Sequence, residues 1–215
     1  MILITGASGM VGGAVLQEVL KTGAEATAMY RSQNDSGKAP SGAETVHADF
    51  SKPDTLARAL EGVDTVFLVC SPVPQLVEYE SNMIEACGRA GVKRIVENSA
   101  LGAGDCGKSF PSWHSRVEAK LESSEIPWTI LQPNGFMQNI ISYNAPTIRT
   151  QSAFYGSLGD ARTSMIDVRD IAAVAAAVLT TPGTEFEGKL TSSTVRKRFQ
   201  MPTWRQRFRE RLGAP

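Results

Sequence analysis

The sequence predicts an α/β fold of the Rossmann type, a doubly wound parallel sheet with helices on both faces. Short apolar runs alternate with amphipathic segments along residues 1–179, as expected for successive βαβ units. A glycine-rich turn, Gly6 to Gly12, directly follows the first apolar run and opens the first helical segment. With 215 residues, 42% of them hydrophobic and 20% charged, the chain is long and apolar enough to bury one core.

Each element has its own local signal. Strands are predicted at Met1–Thr5, Glu25–Tyr30, Thr45–His47, Thr65–Val69, Arg94–Asn98 and Trp128–Gln132. Helices are predicted at Val11–Thr22, Pro53–Leu60, Val77–Ala90, Ser115–Ser123 and Val168–Leu179. Residues 31–43 are polar and contain Gly, Ser and Pro, which predicts a loop. Ser51 is a candidate N-cap for the helix that begins at Pro53. Gly91 is expected to end the helix Val77–Ala90.

The glycine-rich turn, residues 5–12, reads Thr-Gly-Ala-Ser-Gly-Met-Val-Gly. We expect Gly6 to permit the tight turn, Gly9 to let the backbone approach a pyrophosphate, and Gly12 to let the helix pack closely on the strand. The helix N-terminus would then offer N–H groups and a partial positive charge to the phosphates. The predicted phosphate-binding residues are Gly6, Ser8, Gly9, Met10, Val11 and Gly12.

The residue after the second strand indicates the choice of cofactor. NAD sites usually carry an acid there, whereas NADP sites place a cation near the 2′-phosphate. Here Arg31 follows the strand and no acid precedes Asp35, so NADP(H) is the expected cofactor and NAD(H) a possible one. The alternative is that Arg31 is a solvated loop residue. Lys38 is a further candidate cation in the same loop.

Two further strand ends are candidate cofactor contacts. Asp49 and Phe50 follow the third strand, where they would lie beside an adenine or simply begin the next turn. Cys70, Ser71 and Pro72 follow the fourth strand, at the carboxyl edge where ligands of such sheets bind. The three cysteines fit neither a zinc pattern nor a CxxC motif, and we expect them to be reduced thiols.

Several segments together resemble the NmrA-like group of atypical short-chain dehydrogenases/reductases. The first is the glycine-rich turn in a chain without a Tyr-x-x-x-Lys motif. The others are Arg31, Asp49-Phe50, Gly62–Leu68, Gly91–Val96, Trp128–Asn139 and Asp167–Ala172. The resemblance covers residues 1–190. The group contains NAD(P)H-dependent quinone reductases, related dye and phenolic-ether reductases, and non-catalytic NADP sensors.

The resemblance implies an NADP(H)-binding oxidoreductase that passes hydride from NADPH to a quinone-like or other conjugated small molecule. The alternative that it leaves open is an NADP(H)-sensing regulatory protein without turnover. Membership by itself supports cofactor binding more strongly than catalysis.

The resemblance also implies site residues near the nicotinamide. Ser99 stands where related enzymes keep a substrate-polarising serine, Phe110 stands at their tyrosine position, and His114 stands at their lysine position. His114 and Ser99 are therefore the candidate catalytic residues, although His114 could instead be a surface or capping residue. Glu118 is expected to be a solvated helix residue. Further expected contacts lie on the loop after the sixth strand, namely Pro133, Asn134 and Phe136, of which Phe136 could also be core.

Gln132 begins that loop and stands where relatives usually carry arginine, which would alter the polarity of the substrate site.

The charge is unevenly distributed although the net charge is zero. Residues 1–188 carry a net −7 and residues 189–215 a net +7. The acidic body argues against nucleic-acid binding by the domain as a whole. We divide the chain into a Rossmann domain, residues 1–190, and a basic segment, residues 191–215, with a short amphipathic helix striped by Trp204, Phe208 and Leu212.

Three roles are open for the basic segment. It could pack on the domain, bind a partner, a membrane surface or nucleic acid, or have no evolved role. The sequence carries no signal peptide and no membrane span, so a soluble cytoplasmic protein is expected, with a homodimer or another protein as a possible partner.

Overall fold

The computed structural model of the chain describes residues 1–37, 39–104, 107, 109–153, 155, 162–193 and 199–200. Its strands are β1 Ile2–Ile4, β2 Ala26–Tyr30, β3 Glu44–His47, β4 Thr65–Leu68, β5 Arg94–Asn98, β6 Trp128–Pro133, β7 Arg162–Thr163, β8 Lys189–Ser193 and β9 Phe199–Gln200. Its helices are α1 Met10–Lys21, α2 Gln33–Ser36, α3 Pro53–Ala59, α4 Leu76–Ala90, α5 Phe110–Glu122, α6 Met137–Gln151 and α7 Val168–Thr180.

Seven of these strands form one parallel sheet in the order β3-β2-β1-β4-β5-β6-β8. The strand order reverses between β1 and β4, and ligands of doubly wound sheets bind outside the carboxyl ends of the strands at such a point. The predicted Rossmann fold is confirmed. The short strands β7 and β9 pair antiparallel with each other, apart from this sheet.

The two faces of the sheet are covered by different helices. Successive strand residues point to opposite faces, so Leu3 joins one core cluster and Ile4 the other. On one face α1 and α7 pack against the sheet, and on the other α3, α4 and α5 do so. Among the described helices, none has both the length and the hydropathy that a bilayer crossing requires.

The turn after β1 is held by side-chain and backbone contacts with β4. The Thr5 hydroxyl donates to the carbonyls of Phe67 and Val69 and accepts from the Val69 N–H at 2.9 Å. Gly6 has φ +58°, and a Cβ there would lie 2.9 Å from the Val69 side chain. A Cβ on Gly12 would lie 2.3 Å from the Gly6 carbonyl oxygen. A side chain is therefore excluded at both positions by steric overlap, and at Gly6 the backbone conformation also requires glycine.

Several predicted element bounds are wrong. The helix predicted at Ser115–Ser123 begins five residues earlier, at Phe110, because proline at the second helical position is compatible with a helix start. The predicted loop 31–43 contains α2. Ser51 is not the N-cap of α3, because Lys52 occupies that position and the Ser51 hydroxyl donates to Asp49 at 2.8 Å.

Two long-range features were not predicted. The helix α6 was missed because it contains Pro146 and few apolar residues in a regular pattern. The strand β8 extends the sheet beyond β6 and runs past residue 190, where we placed the domain boundary. The predicted amphipathic helix and its stripe, along with Lys38 and Cys106, lie outside the described residues.

The glycine packing gives a stability test with an internal control. Gly12→Ala should lower the free energy of unfolding by about 2 to 3 kcal/mol, because the new methyl group overlaps the Gly6 carbonyl. Gly88→Ala is the matched control, since a Cβ there has 3.9 Å of space in α4. It should raise stability by about 0.5 to 1 kcal/mol through helix propensity. Urea unfolding of both variants checks this, and equal effects would contradict the packing argument.

Candidate functional site

A cleft of about 730 Å³ opens at the carboxyl edge of the sheet, at the point where the strand order reverses. Its walls come from the turn after β1 and from the segments that follow β4, β5 and β6. Fourteen predicted site residues line it: Gly6, Ser8, Gly9, Met10, Val11, Gly12, Cys70, Ser71, Pro72, Ser99, His114, Pro133, Asn134 and Phe136. The volume of the cleft is within the range of ordinary small-molecule sites.

The phosphate end of the cleft is the N-terminus of α1. Gly9 is the N-cap, no side chain caps the helix, and its first turn carries no acidic residue. The first N–H groups of a helix have no partner within the helix, so here they are available to an anion. A Cβ on Gly9 would lie 3.1 Å from the Gly6 carbonyl oxygen, so glycine keeps this approach open. These features fit a dinucleotide pyrophosphate.

Arg31, Asp49 and Phe50 lie apart from the cleft wall, at the adjoining ends of β2 and β3. Arg31 is exposed. Burial opposes ionisation of Asp49, but the N–H and hydroxyl of Ser51 and the charges of Lys52 and Arg31 lower the pKa of Asp49 on balance. Phe50 is partly buried against the second core cluster. In Rossmann folds the end of the second strand faces the adenosine part of a bound dinucleotide.

Residues of α5 and α6 that the sequence did not single out also line the cleft. Trp113 lies on α5, and Asn139 and Tyr143 lie on α6. The α6 helix starts beside α7 because the Gln138 side chain donates to Asp167 at 2.8 Å and accepts from the Val168 N–H at 3.1 Å. Spacing along the chain gives no signal for this contact, because Gln138 and Val168 are 30 residues apart.

The far end of the cleft is aromatic and largely apolar. The Phe110 ring stands edge-on to the His114 ring with 4.6 Å between centroids, and Trp113 stands edge-on to Phe110 at 6.4 Å. Phe110 therefore lies beside His114 in the cleft wall and has no hydroxyl to donate. Phe136 both lines the cleft and packs against the first core cluster, so it can contact a ligand and still be part of the core.

Behind this wall, Ser99 and Gln132 are tied to a buried glutamate. Both donate to Oε1 of Glu118, Gln132 at 2.8 Å and Ser99 through a short hydrogen bond. Glu118 is only 8% exposed, so the expectation of a solvated helix residue is wrong; it faces the core side of α5. The Gln132 side chain points to Glu118, and Gln132 does not line the cleft.

Three more titratable side chains are buried beside that group. They are Glu80 of α4, Glu97 of β5 and His114 of α5, and the ligand atoms they offer lie within 4.8 Å of one another. Burial, together with the charge of Glu97, raises the pKa of Glu80 well above its usual range. Burial and Glu118 do the same to the pKa of Glu97, while burial lowers the pKa of His114. His114 is thus a buried residue of the cleft wall rather than a surface one.

The surroundings of Cys70 disfavour its reactive thiolate form. Burial and the charge of Glu80 raise the pKa of the thiol to about 12. Cys70 contributes to the cleft by its shape and its backbone.

Comparison with known proteins fits this geometry. A family model described as NAD(P)H-binding matches residues 6–182. The chain is 38% identical over 190 residues to an NAD(P)H azoreductase of Xenophilus azovorans, and 31% identical over 194 residues to quinone oxidoreductase 2 of Escherichia coli K12. These alignments cover 86% and 88% of this chain. The chain spans 65% of the length of the azoreductase and 67% of that of the quinone oxidoreductase.

A solved structure gives the same picture. The crystal structure of the NADPH-dependent quinone oxidoreductase of Escherichia coli in complex with NADPH superposes with a TM-score of 0.87 at 28% identity, covering 99% of this chain and 76% of that one. The resemblance to NmrA-like atypical short-chain dehydrogenases/reductases is consistent with all three findings. Since the matching model covers most of its residues, the chain belongs to the NAD(P)H-binding family.

Proposed function

We propose that the protein is an NADPH-dependent reductase that passes hydride to a flat, conjugated small molecule such as a quinone or an azo compound. One observation carries the proposal. A single cleft runs from a glycine-rich, donor-rich helix N-terminus to an aromatic end formed by Phe110, Trp113, Phe136 and Tyr143. A dinucleotide and an apolar acceptor need these two kinds of surface in one continuous space.

Named residues would contact three parts of the cofactor. The glycine-rich turn would hold the pyrophosphate, Arg31 the 2′-phosphate, and the loop Pro133–Phe136 together with Ser71 and Pro72 would flank the nicotinamide end. When bound, NADPH supplies the hydride. The names of the relatives support NADPH and quinone or azo acceptors, because the similar proteins are called a quinone oxidoreductase and an azoreductase.

The polar groups at the aromatic end favour acceptors that need little acid catalysis from the protein. Phe110 has no proton to donate, and the Ser99 hydroxyl already donates to Glu118. A reduced quinone or azo group can take its proton from water, since its developing negative charge is delocalised over the conjugated system. The catalytic roles of Ser99 and His114 stay predictions, with orientation of the nicotinamide end as the role that their positions support.

The same observation favours a second candidate, an NADP(H) sensor without turnover. A site that binds the cofactor but offers neither a tyrosine at Phe110 nor a free serine hydroxyl is compatible with binding alone. The two candidates differ in one measurable property, the consumption of NADPH with an acceptor.

A cytoplasmic location, a homodimer or another protein partner, and a domain boundary near residue 190 stay predictions.

The assignment of NADP(H) is tested by removing one cation. Arg31→Ala should weaken NADPH binding by at least about tenfold, or about 1.4 kcal/mol, and leave NADH binding unchanged, because only NADPH carries the 2′-phosphate. Calorimetric titration with both cofactors measures this. Arg58→Ala is the matched control, since Arg58 is exposed on α3 and does not line the cleft. An equal loss for NADPH and NADH would contradict the role given to Arg31.

Turnover is tested by following NADPH absorbance with a panel of quinones and azo dyes. We expect saturable oxidation by the wild-type protein and its loss in Gly9→Asp, because a carboxylate at the N-cap of α1 would occupy and repel the pyrophosphate. Gly88→Asp adds the same charge on an exposed part of α4 and should retain activity. If NADPH binds but is oxidised by none of the acceptors, the sensor replaces the reductase.

A further inference from the structure

The buried side chains of Glu80, Glu97 and His114, called here the buried triad, have no part in the proposed reductase chemistry. They come from α4, β5 and α5, three elements that meet on one face of the sheet. Both glutamates are 0% exposed and His114 is 4% exposed. Acidic residues are almost never fully buried unless they are paired, so this grouping requires an explanation.

Five buried polar atoms of the triad lack a hydrogen-bond partner of good geometry. Neither oxygen of Glu80, neither oxygen of Glu97, nor Nδ1 of His114 takes part in a hydrogen bond of good geometry. The Cys70 N–H favours the charged form of Glu80, but it does not reach that geometry. Protons on the carboxyl groups and on Nδ1 would satisfy part of this set. A cation bound by one atom from each side chain would serve all three residues at once.

No positive side chain compensates the triad in the part of the chain that the structure describes. Nδ1 of His114 lies 3.5 Å from Oε1 of Glu97, a contact that is an ion pair only when the imidazole is protonated. No described lysine or arginine forms an ion pair with either glutamate. The neighbouring Glu118 adds further negative charge. Two buried carboxyl groups without a counter-charge can ionise only at a high cost, and a divalent cation would stabilise the charged form of both at once.

We propose that Glu80, Glu97 and His114 bind one divalent transition-metal ion, of the class that includes Zn²⁺, Co²⁺ and Mn²⁺. Two carboxylates and an imidazole are hard and borderline ligands that suit these ions. The ligand atoms already lie within 4.8 Å of one another. If each of these atoms moved inward by less than about 1 Å, all three would lie about 2.0 to 2.2 Å from an ion at their centre. Because His114 lines the cleft, the ion has a route to the site.

The ion would tie three elements together behind the cofactor cleft. It would hold α4 and α5 on β5 and fix the His114 ring between the metal and the cleft. Coordination through Nδ1 also selects the tautomer that carries its proton on Nε2. The site would therefore order one part of the cleft wall, and its occupancy can be measured without any substrate.

Metal binding by the full chain is the first test. The protein is purified, treated with a chelator, and titrated with Zn²⁺ and separately with Co²⁺, whose visible absorption reports the ligand geometry. We expect one equivalent to bind, with a rise in Tm that depends on metal concentration. Glu97→Gln and Glu80→Gln should each weaken binding by at least about 100-fold. Glu85→Gln is the matched control, because Glu85 lies on the same helix as Glu80 but is half exposed and paired with Lys120 at 2.9 Å.

Stability without metal separates loss of the site from loss of the fold. Glu97→Gln should unfold at the same or a higher temperature than the chelated wild-type protein, because it replaces one of two buried acids by a neutral amide, and it should lack the metal-dependent rise in Tm. Binding that is equal in Glu97→Gln, Glu80→Gln and Glu85→Gln would overturn the proposal. So would the absence of stoichiometric binding together with an infrared carboxylic-acid band that Glu97→Gln abolishes, since protons would then neutralise the triad.

Discussion

The close approach of the first turn to the neighbouring strand is the constraint on which the rest of the structure depends. Thr5 bonds to the backbone of β4 on both sides of the strand end, and Gly6 and Gly12 leave no room for a Cβ. If this approach were lost, α1 would move away from the sheet, and the helix N-terminus would no longer face the ends of β4, β5 and β6. The cleft exists because that one contact is tight.

The two ends of the cleft have opposite hydrogen-bonding character. At the glycine-rich end, backbone N–H groups of α1 are donors without a capping acceptor, which suits a phosphate. Behind the aromatic end, the polar groups are mainly acceptors, because Glu118 takes both nearby donors and the buried triad has none. A dinucleotide satisfies the first end, and a cation satisfies the second. Cofactor binding and the proposed metal binding therefore use different groups of one site region, with His114 common to both.

The parts of the fold and site that could be predicted are those governed by local pattern. Hydrophobic residues that repeat every 2 or every 3.6 positions place most strands and helices. Parallel strands bring their carboxyl ends to one edge of the sheet, so residues that follow a strand, such as Cys70 and Asn134, could be assigned to the cleft. The helix α6 escaped because Pro146 interrupts its pattern and its position depends on Gln138 reaching α7. Because this helix was not predicted, its cleft residues Asn139 and Tyr143 were not predicted either.

The buried triad was missed for a different physical reason. Its members are 17 residues apart in sequence, on three different elements, and no spacing rule links a strand residue to two helices that pack over it. A signal was nevertheless present. Glu97 stands inside the predicted strand Arg94–Asn98, and an unpaired acid is costly in a strand of a sheet that is covered on both faces. An acid at such a position requires a partner elsewhere in the chain or an ion, and only the folded arrangement identifies Glu80 and His114 as its neighbours.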